Sequence, residues 1–248
     1  MNAKTVIITG ACGGIGRAAS RTFRAAGWTV IGIDRSDPDD GVDVDRFVRA
    51  DLAADGGVAA IRAELADIDR LDALVNNAAL QVNQPIVSTS DEDWTSVMNT
   101  NVRAAFQMIR EFHLPLSAAR GAVVNVSSVH AVATSMNVAV YAISKGAMVA
   151  LTRSAALELA AEGIRCNAVL PGAVLTPMLE AGLGRRPHPD GPDGNLNALI
   201  DRTPLGFVAT PDQIAPTIVH LADTELSPYT TGQMMVVDGG ATIRLGTE

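Results

Sequence analysis

Apolar and polar positions along the chain switch repeatedly between two patterns. Short β-branched or apolar runs recur at Thr5-Val-Ile-Ile-Thr9, Trp28-Thr-Val-Ile-Gly-Ile33, Arg46-Phe-Val-Arg-Ala50 and Leu71-Asp-Ala-Leu-Val75. Three more follow at Ala122 to Ser128, Arg165-Cys-Asn-Ala-Val-Leu170 and Gln233-Met-Met-Val-Val237. Runs such as the first suit strands buried on both faces. Between them lie helical stretches. Arg17 to Ala26 is stopped by Gly27, another helix begins near Gly57, and Asp91 to Phe112 has helical period. Val140 to Glu162 has the Ala, Leu and Met content of a helix with Gly163 at its C′ position, and Thr210-Pro211 opens a last helix to Asp223. Strands and helices alternate without a linker or an internal repeat. The pattern therefore predicts one doubly wound α/β domain over residues 1–248, with a largely parallel sheet flanked by helices on both faces. Only Leu179 to Arg202, holding Arg185, Arg186, His188 and several Pro and Gly, is poorly able to pack by itself. It reads as a lid or binding loop within an insertion at about 176–205.

Composition narrows the function. Of 248 residues 48% are apolar but only 4% aromatic, so the core is built from Ala, Val, Leu and Ile. Nineteen basic against twenty-seven acidic residues give a formal charge of −8 with no basic run, which argues against nucleic acid or an anionic membrane as partner. Cys12 and Cys166 are too few for a disulfide framework or a thiolate site, and the four histidines show no metal-ligand spacing, so no metal is expected. Met1-Asn-Ala-Lys4 leads into a short apolar run that meets Gly10 at once and lacks a signal-peptide core, which favours a cytoplasmic location. From Gly121 to Ser144 there is no formal charge. Asn125, Ser127, Ser128, Thr134, Ser135 and Asn137 interrupt that stretch too often for a membrane span, and a buried strand followed by a site loop accounts for it better.

The first strand feeds directly into Gly10-Ala-Cys12-Gly13-Gly14-Ile15-Gly16 and then a helix, an arrangement that lets backbone approach a pyrophosphate at the positive end of the helix. The second strand ends on Asp34, where a carboxylate accepts from ribose hydroxyls and repels a 2′-phosphate. Arg35 beside it could accommodate that phosphate, but the loop carries no Lys or Arg before Arg17, so NAD is favoured over NADP. Asp51, followed by Leu52, either reaches the adenine amino group or caps the helix near Gly57. Asn76-Asn77-Ala78-Ala79 suits a floor under a cofactor at a strand's carboxyl end. Asn101 lies inside a helical stretch, where asparagine is a poor choice, and suggests a kink or a function. Ser128 is followed after twelve residues by Tyr141, and Lys145 comes one helical turn later. An ammonium beside a phenol favours the phenolate and is expected to draw the Tyr141 pKa down toward working pH, making it a proton donor and acceptor.

Together these positions resemble the short-chain dehydrogenase/reductase superfamily over nearly the whole length. The resemblance rests on Thr9-Gly10-x-x-x-Gly14-Ile15-Gly16, Asn76-Asn77-Ala78-Ala79, Asn101, Ser128 with Tyr141-x-x-x-Lys145, Asn167, Pro171-Gly172 and Thr176-Pro177. Ala79 stands where the family more often has Gly. The resemblance implies a seven-stranded Rossmann-type sheet and an NAD-dependent oxidoreductase acting on a secondary alcohol or ketone. In it Tyr141 is the acid/base, Ser128 orients the substrate oxygen, Lys145 lowers the Tyr pKa and holds the nicotinamide ribose, and Asn101 positions a relay water. Cofactor contacts are implied at Pro171, Gly172, Val174 and Thr176, besides those from the glycine loop to Ala79. A homotetramer paired through its helices is implied as well. Gln81, His130, Met136 and Asn137 are substrate candidates, and with Arg185, Arg186 and His188 they suggest a polar, hydroxylated or anionic substrate. The alternative from another class is a catalytically silent dinucleotide sensor on the same fold.

Overall fold

The structure is a computed structural model that describes residues 3–185 and 188–244. Arg186 lies outside the described residues, as do Met1 and Asn2. Seven strands, β1 (Thr5–Thr9), β2 (Thr29–Asp34), β3 (Arg46–Arg49), β4 (Ala73–Asn76), β5 (Ala122–Val126), β6 (Arg165–Pro171) and β7 (Met234–Val237), form one sheet in the order β3-β2-β1-β4-β5-β6-β7. Every pairing is parallel. The chain runs outward from β1 to β3 and then returns to lay β4 on the other side of β1. Loops after β1 and β4 thus diverge, opening a crevice at the carboxyl ends of the strands where such sheets bind ligands.

The helices are α1 (Gly14–Ala25), α2 (Gly57–Glu64), α3 (Asp91–Met98), α4 (Ala104–Glu111), α5 (His113–Ala119), α6 (Ala139–Glu158), α7 (Pro177–Gly184), α8 (Gly191–Arg202) and α9 (Pro211–Ala222). The two-residue period of β1 distributes the core between two layers. Val6 and Ile8 pack with Phe23 of α1 and Ile214 and Ile218 of α9. Ile7 points the other way, into a cluster with Ile61 of α2, Met108 of α4, Leu116 of α5 and Ala155 of α6. The sheet is therefore covered on both faces, as the continuous apolar runs require.

Two expectations are corrected. The stretch Asp91 to Phe112 is not one regular helix, because a π-turn over Asn99–Arg103 separates α3 from α4, and Asn101 sits in it. The segment 179–202 is not an irregular loop throughout either; its residues 179–184 belong to α7 and 191–202 to α8. Proline is compatible with both helices because it lies in the first turn of each, where no intrahelical bond needs its missing N–H. Thr176 caps α7, its Oγ1 accepting from the Leu179 N–H at 3.3 Å.

Candidate active site

One end of the crevice is built by the glycine loop. Gly13 precedes α1 without a side-chain cap and no acidic residue stands in the first turn, so the free amides and positive dipole of that helix face the crevice unneutralised. Gly10 has φ +69° and lies so near the β4 loop that a Cβ there would stand 2.8 Å from the Ala78 Cα. A Cβ on Gly16 would come within 2.1 Å of the Gly10 oxygen, so only glycine lets α1 start this close to the loop. Asn77 ties the two loops together, its Nδ2 donating to the Thr9 oxygen at 3.0 Å and the Gly10 oxygen at 3.1 Å.

At the end of β2, Asp34 accepts from the Cys12 N–H through Oδ2 and from the Ser36 N–H through Oδ1, each at 3.0 Å. The carboxylate is thereby fixed with lone pairs left on both oxygens. Arg17 is turned away from the crevice, with Nε on the Cys12 oxygen at 2.7 Å and its Nη groups on Asp39, whose carboxyl it holds down at about 2. Arg35 is exposed, and no described residue pairs with its guanidinium. Asp51 does not cap α2, which starts after Gly56 in a left-handed conformation. Its Oδ1 accepts instead from the Ala53 N–H at 2.9 Å.

The other end is built where β5 meets α6. Ser127 turns toward the helix and donates from Oγ to the Lys145 oxygen at 2.8 Å. Ser128 is extended, and its hydroxyl accepts from the His130 N–H at 3.2 Å and hydrogen-bonds to the Tyr141 phenol. One turn beyond Tyr141, the Lys145 Nζ donates to the Val126 oxygen at 2.8 Å and stands 5.5 Å from the Tyr141 ring centroid. His130 meets the Tyr141 ring edge-on at 5.7 Å. Asn101 lies behind this group. Its Oδ1 accepts from the Leu80 N–H at 2.7 Å, and its Nδ2 donates to the Leu80 oxygen and to Ser144 Oγ, both at 2.9 Å. With both amide hydrogens used, the side chain offers a relay water only one carbonyl lone pair.

The expected drop in the Tyr141 pKa is not met. Burial pushes the phenol up to about 12, against a smaller downward pull from the Ser128 hydrogen bond, and burial pushes Lys145 down to about 8. Both groups are enclosed by protein, so desolvation outweighs the neighbouring charge on which the sequence argument rested.

These two ends share one cleft of about 790 Å³. It is lined by Gly10, Cys12, Gly14, Ile15, Asp34 and Arg35 of the loop and β2; by Asp51, Leu52, Asn77, Ala78 and Ala79; by Ser128, Tyr141 and Lys145; and by Pro171, Gly172, Val174 and Thr176. Gln81 and His130 reach it too. Met136 and Asn137 are not brought to it. Met136 is 85% exposed, and Asn137 adopts φ +65° in the turn leading to α6. Arg185 and His188 also lie off the described lining, because Arg185 caps the far end of α7 and His188 Nδ1 accepts from the Asp190 N–H. Leu199, Arg202 and Thr203 from α8 and its end also line the cleft, within the segment expected to form a binding loop but not singled out there, and Ala241 and Thr242 beyond β7 carried no signal in the sequence.

Residues 10–242 match a family model described as enoyl-(acyl carrier protein) reductase. The chain belongs to the short-chain dehydrogenase/reductase family. Members of this family are oxidoreductases that bind NAD(P) and act on hydroxyl or keto groups. Among its relatives is 3beta-hydroxysteroid dehydrogenase 1 of Eggerthella lenta, 34% identical over 99% of this chain and 96% of that protein. The solved aldohexose dehydrogenase of Thermoplasma acidophilum superposes with a TM-score of 0.91 at 28% identity, covering 100% of this chain and 97% of the other. A dehydrogenase structure from Beutenbergia cavernae that holds NADP at low occupancy gives a TM-score of 0.87 at 33% identity over 97% of each chain. Among the described residues, no helix is long and apolar enough to cross a membrane.

Proposed function

We propose that this short-chain dehydrogenase/reductase interconverts a secondary alcohol and its ketone with NAD(H), Tyr141 serving as the acid/base. One observation carries the reading. The hydrogen-bonded Ser128 and Tyr141 hydroxyls stand in the same cleft as the uncapped start of α1 and the fixed Asp34 carboxylate. The residues present fit a dinucleotide. Free amides at Gly14 and Ile15 suit a pyrophosphate. Asp34 suits the adenosine ribose, with Arg35 at its outer side and Asp51 and Leu52 toward the adenine. Asn77, Ala78 and Ala79 form the floor; Thr176 and the Val174 backbone suit the carboxamide; Pro171 and Gly172 wall the nicotinamide side; and Lys145 and Tyr141 face its ribose.

The nicotinamide supplies the hydride acceptor or donor. The chain supplies alignment and the proton. Ser128 Oγ and Tyr141 Oη converge on the substrate oxygen, and two donors there polarise a carbonyl as negative charge develops on it. A phenol pushed up to about 12 keeps its proton throughout the neutral range, which is the form needed to protonate that oxygen during ketone reduction. In the oxidative direction the base is the phenolate, reached by loss of the phenol proton and stabilised by the Lys145 ammonium behind it; it takes the hydroxyl proton and returns to the phenol. Asn101 fixes the Leu80 backbone and Ser144 beneath this group.

NAD is preferred over NADP in this reading. Asp34 is held by two backbone amides at the position suited to the adenosine ribose, and Arg17, the first arginine after the glycine loop, is committed to Asp39. Fluorescence titration is expected to give an NADH dissociation constant at least about tenfold below that for NADPH, a difference of about 1.4 kcal/mol. Tighter binding of NADPH would overturn the cofactor assignment. Absence of NAD+ reduction across a broad series of secondary alcohols, with NADH still bound, would overturn the enzymatic one.

A further inference from the structure

Among the described residues, two arginines line the cleft. Arg35 stands at the end of β2, beside Asp34, whereas Arg202 closes α8 on the side where β6 and β7 end. The latter placement follows from the chain after it, since Thr203 meets Gly239 just beyond β7 and the Leu205 N–H donates to the Gly239 oxygen at 3.1 Å. This is the half of the sheet that carries Ser128 at the end of β5, away from the loop and Asp34.

Arg202 is not occupied with holding its own helix. Thr203 donates from Oγ1 to the Leu199 oxygen at 2.8 Å and from its N–H to the Ile200 oxygen at 3.0 Å, while Arg244 donates to the Asp201 oxygen. No described residue forms a hydrogen bond or an ion pair with the Arg202 guanidinium. In contrast, Arg17, Arg21, Arg24, Arg46, Arg49, Arg70, Arg103 and Arg110 are each paired with a carboxylate. The only carboxylates among the described lining residues are Asp34 and Asp51, both in the dinucleotide half. In a chain of formal charge −8, the described residues of the reactive half of the cleft therefore present a guanidinium and an ammonium, and no acid, to an incoming molecule. A planar fork of donors without a partner among the described residues matches a carboxylate in two parallel bonds.

We propose that Arg202 binds a carboxylate on the substrate and that the protein acts on hydroxy acids and keto acids in preference to their neutral counterparts. This rests on the dehydrogenase reading above. In it, the Ser128 and Tyr141 hydroxyls take the reacting oxygen while Arg202 fixes the far end of the same molecule, adding orientation as well as charge attraction.

The test compares each acid with a neutral partner of the same skeleton. 3-Hydroxybutyrate, 4-hydroxypentanoate and 5-hydroxyhexanoate are run against their methyl esters, and gluconate against sorbitol, following NAD+ reduction at 340 nm. Wild type is expected to favour at least one acid over its partner by tenfold or more in kcat/KM. Arg202→Met is expected to erase that preference, raising KM for the acid at least tenfold more than for the neutral partner, with Arg202→Lys intermediate. NADH affinity and melting temperature serve as controls for an intact fold. If neutral partners turn over as well as the acids, or if Arg202→Met leaves the preference in place, the carboxylate assignment is overturned and the dehydrogenase reading stands. If nothing in the series or among wider secondary alcohols turns over while NADH binds, both fall.

Discussion

Replacing Tyr141 by Phe is expected to lower kcat for alcohol oxidation and for ketone reduction by roughly 10³-fold while leaving the NADH dissociation constant within about threefold of wild type. The substitution removes one oxygen from a ring that is buried in α6 against His130, so packing is kept and only the proton-carrying atom is lost. Ser128 keeps its bond to the His130 N–H and can still donate to a substrate oxygen, but it has no acid of comparable placement behind it. The effect should therefore fall on kcat more than on KM. Turnover that survives unchanged would show that the proton travels by another route. Loss of NADH binding together with turnover would show that the residue shapes the cleft rather than the chemistry.

Lys145→Met is expected to abolish useful turnover and yet stabilise the fold at neutral and acid pH. Burial moves the ammonium from 10.5 to about 8, and each pKa unit is worth about 1.4 kcal/mol, so a charged Lys145 costs the native state roughly 3 kcal/mol. Between about 8 and 10.5 the unfolded chain binds a proton that the native protein does not, so this group makes stability rise with pH through that window. Below the window both states are protonated and the whole cost is present. Methionine of similar length removes the charge but leaves the Val126 carbonyl without its donor, a loss of about 1–2 kcal/mol. The net gain at pH 6 should be roughly 1–2 kcal/mol in denaturant unfolding, shrinking as pH rises and reversing near pH 10. A variant less stable than wild type at pH 6, or a difference that does not change with pH, would contradict burial as the cause. A stabilising substitution that destroys function is what a site maintained against its own stability should show.

Much of the architecture was legible because local signals and tertiary demands agree. β1 has the bounds its apolar run predicts, since Gly10 ends it in a left-handed turn. β4 starts at Ala73 rather than Leu71 because Asp72 is already engaged at the sheet's edge of entry, accepting from the Thr5 N–H at 2.9 Å and from Arg70 at 2.7 Å. Asn101, an anomaly in a helical stretch, marks a π-turn, and Gly163 takes the left-handed conformation its place after α6 predicted. What was not legible depends on neighbours distant in sequence. Pro177 and Pro192 look like helix breakers until their place in a first turn is known. The Tyr141 and Lys145 pKa directions follow from enclosure by β5, His130 and the crevice walls, which spacing alone does not reveal. Arg202 enters the cleft only because α8 folds back beside β7, whereas Arg185, equally prominent in sequence, is carried to the far end of α7.

The central claim is that the Tyr141 phenol and the reactive end of a bound dinucleotide meet in one cleft, and a crystal structure of the NADH complex tests it most directly. The account predicts a pyrophosphate on the amides that open α1, Asp34 on the adenosine ribose, and the nicotinamide ring facing Tyr141 and Ser128 with room for a substrate carbon between them. A dinucleotide bound with its nicotinamide away from Tyr141, or bound elsewhere on the protein, would contradict it.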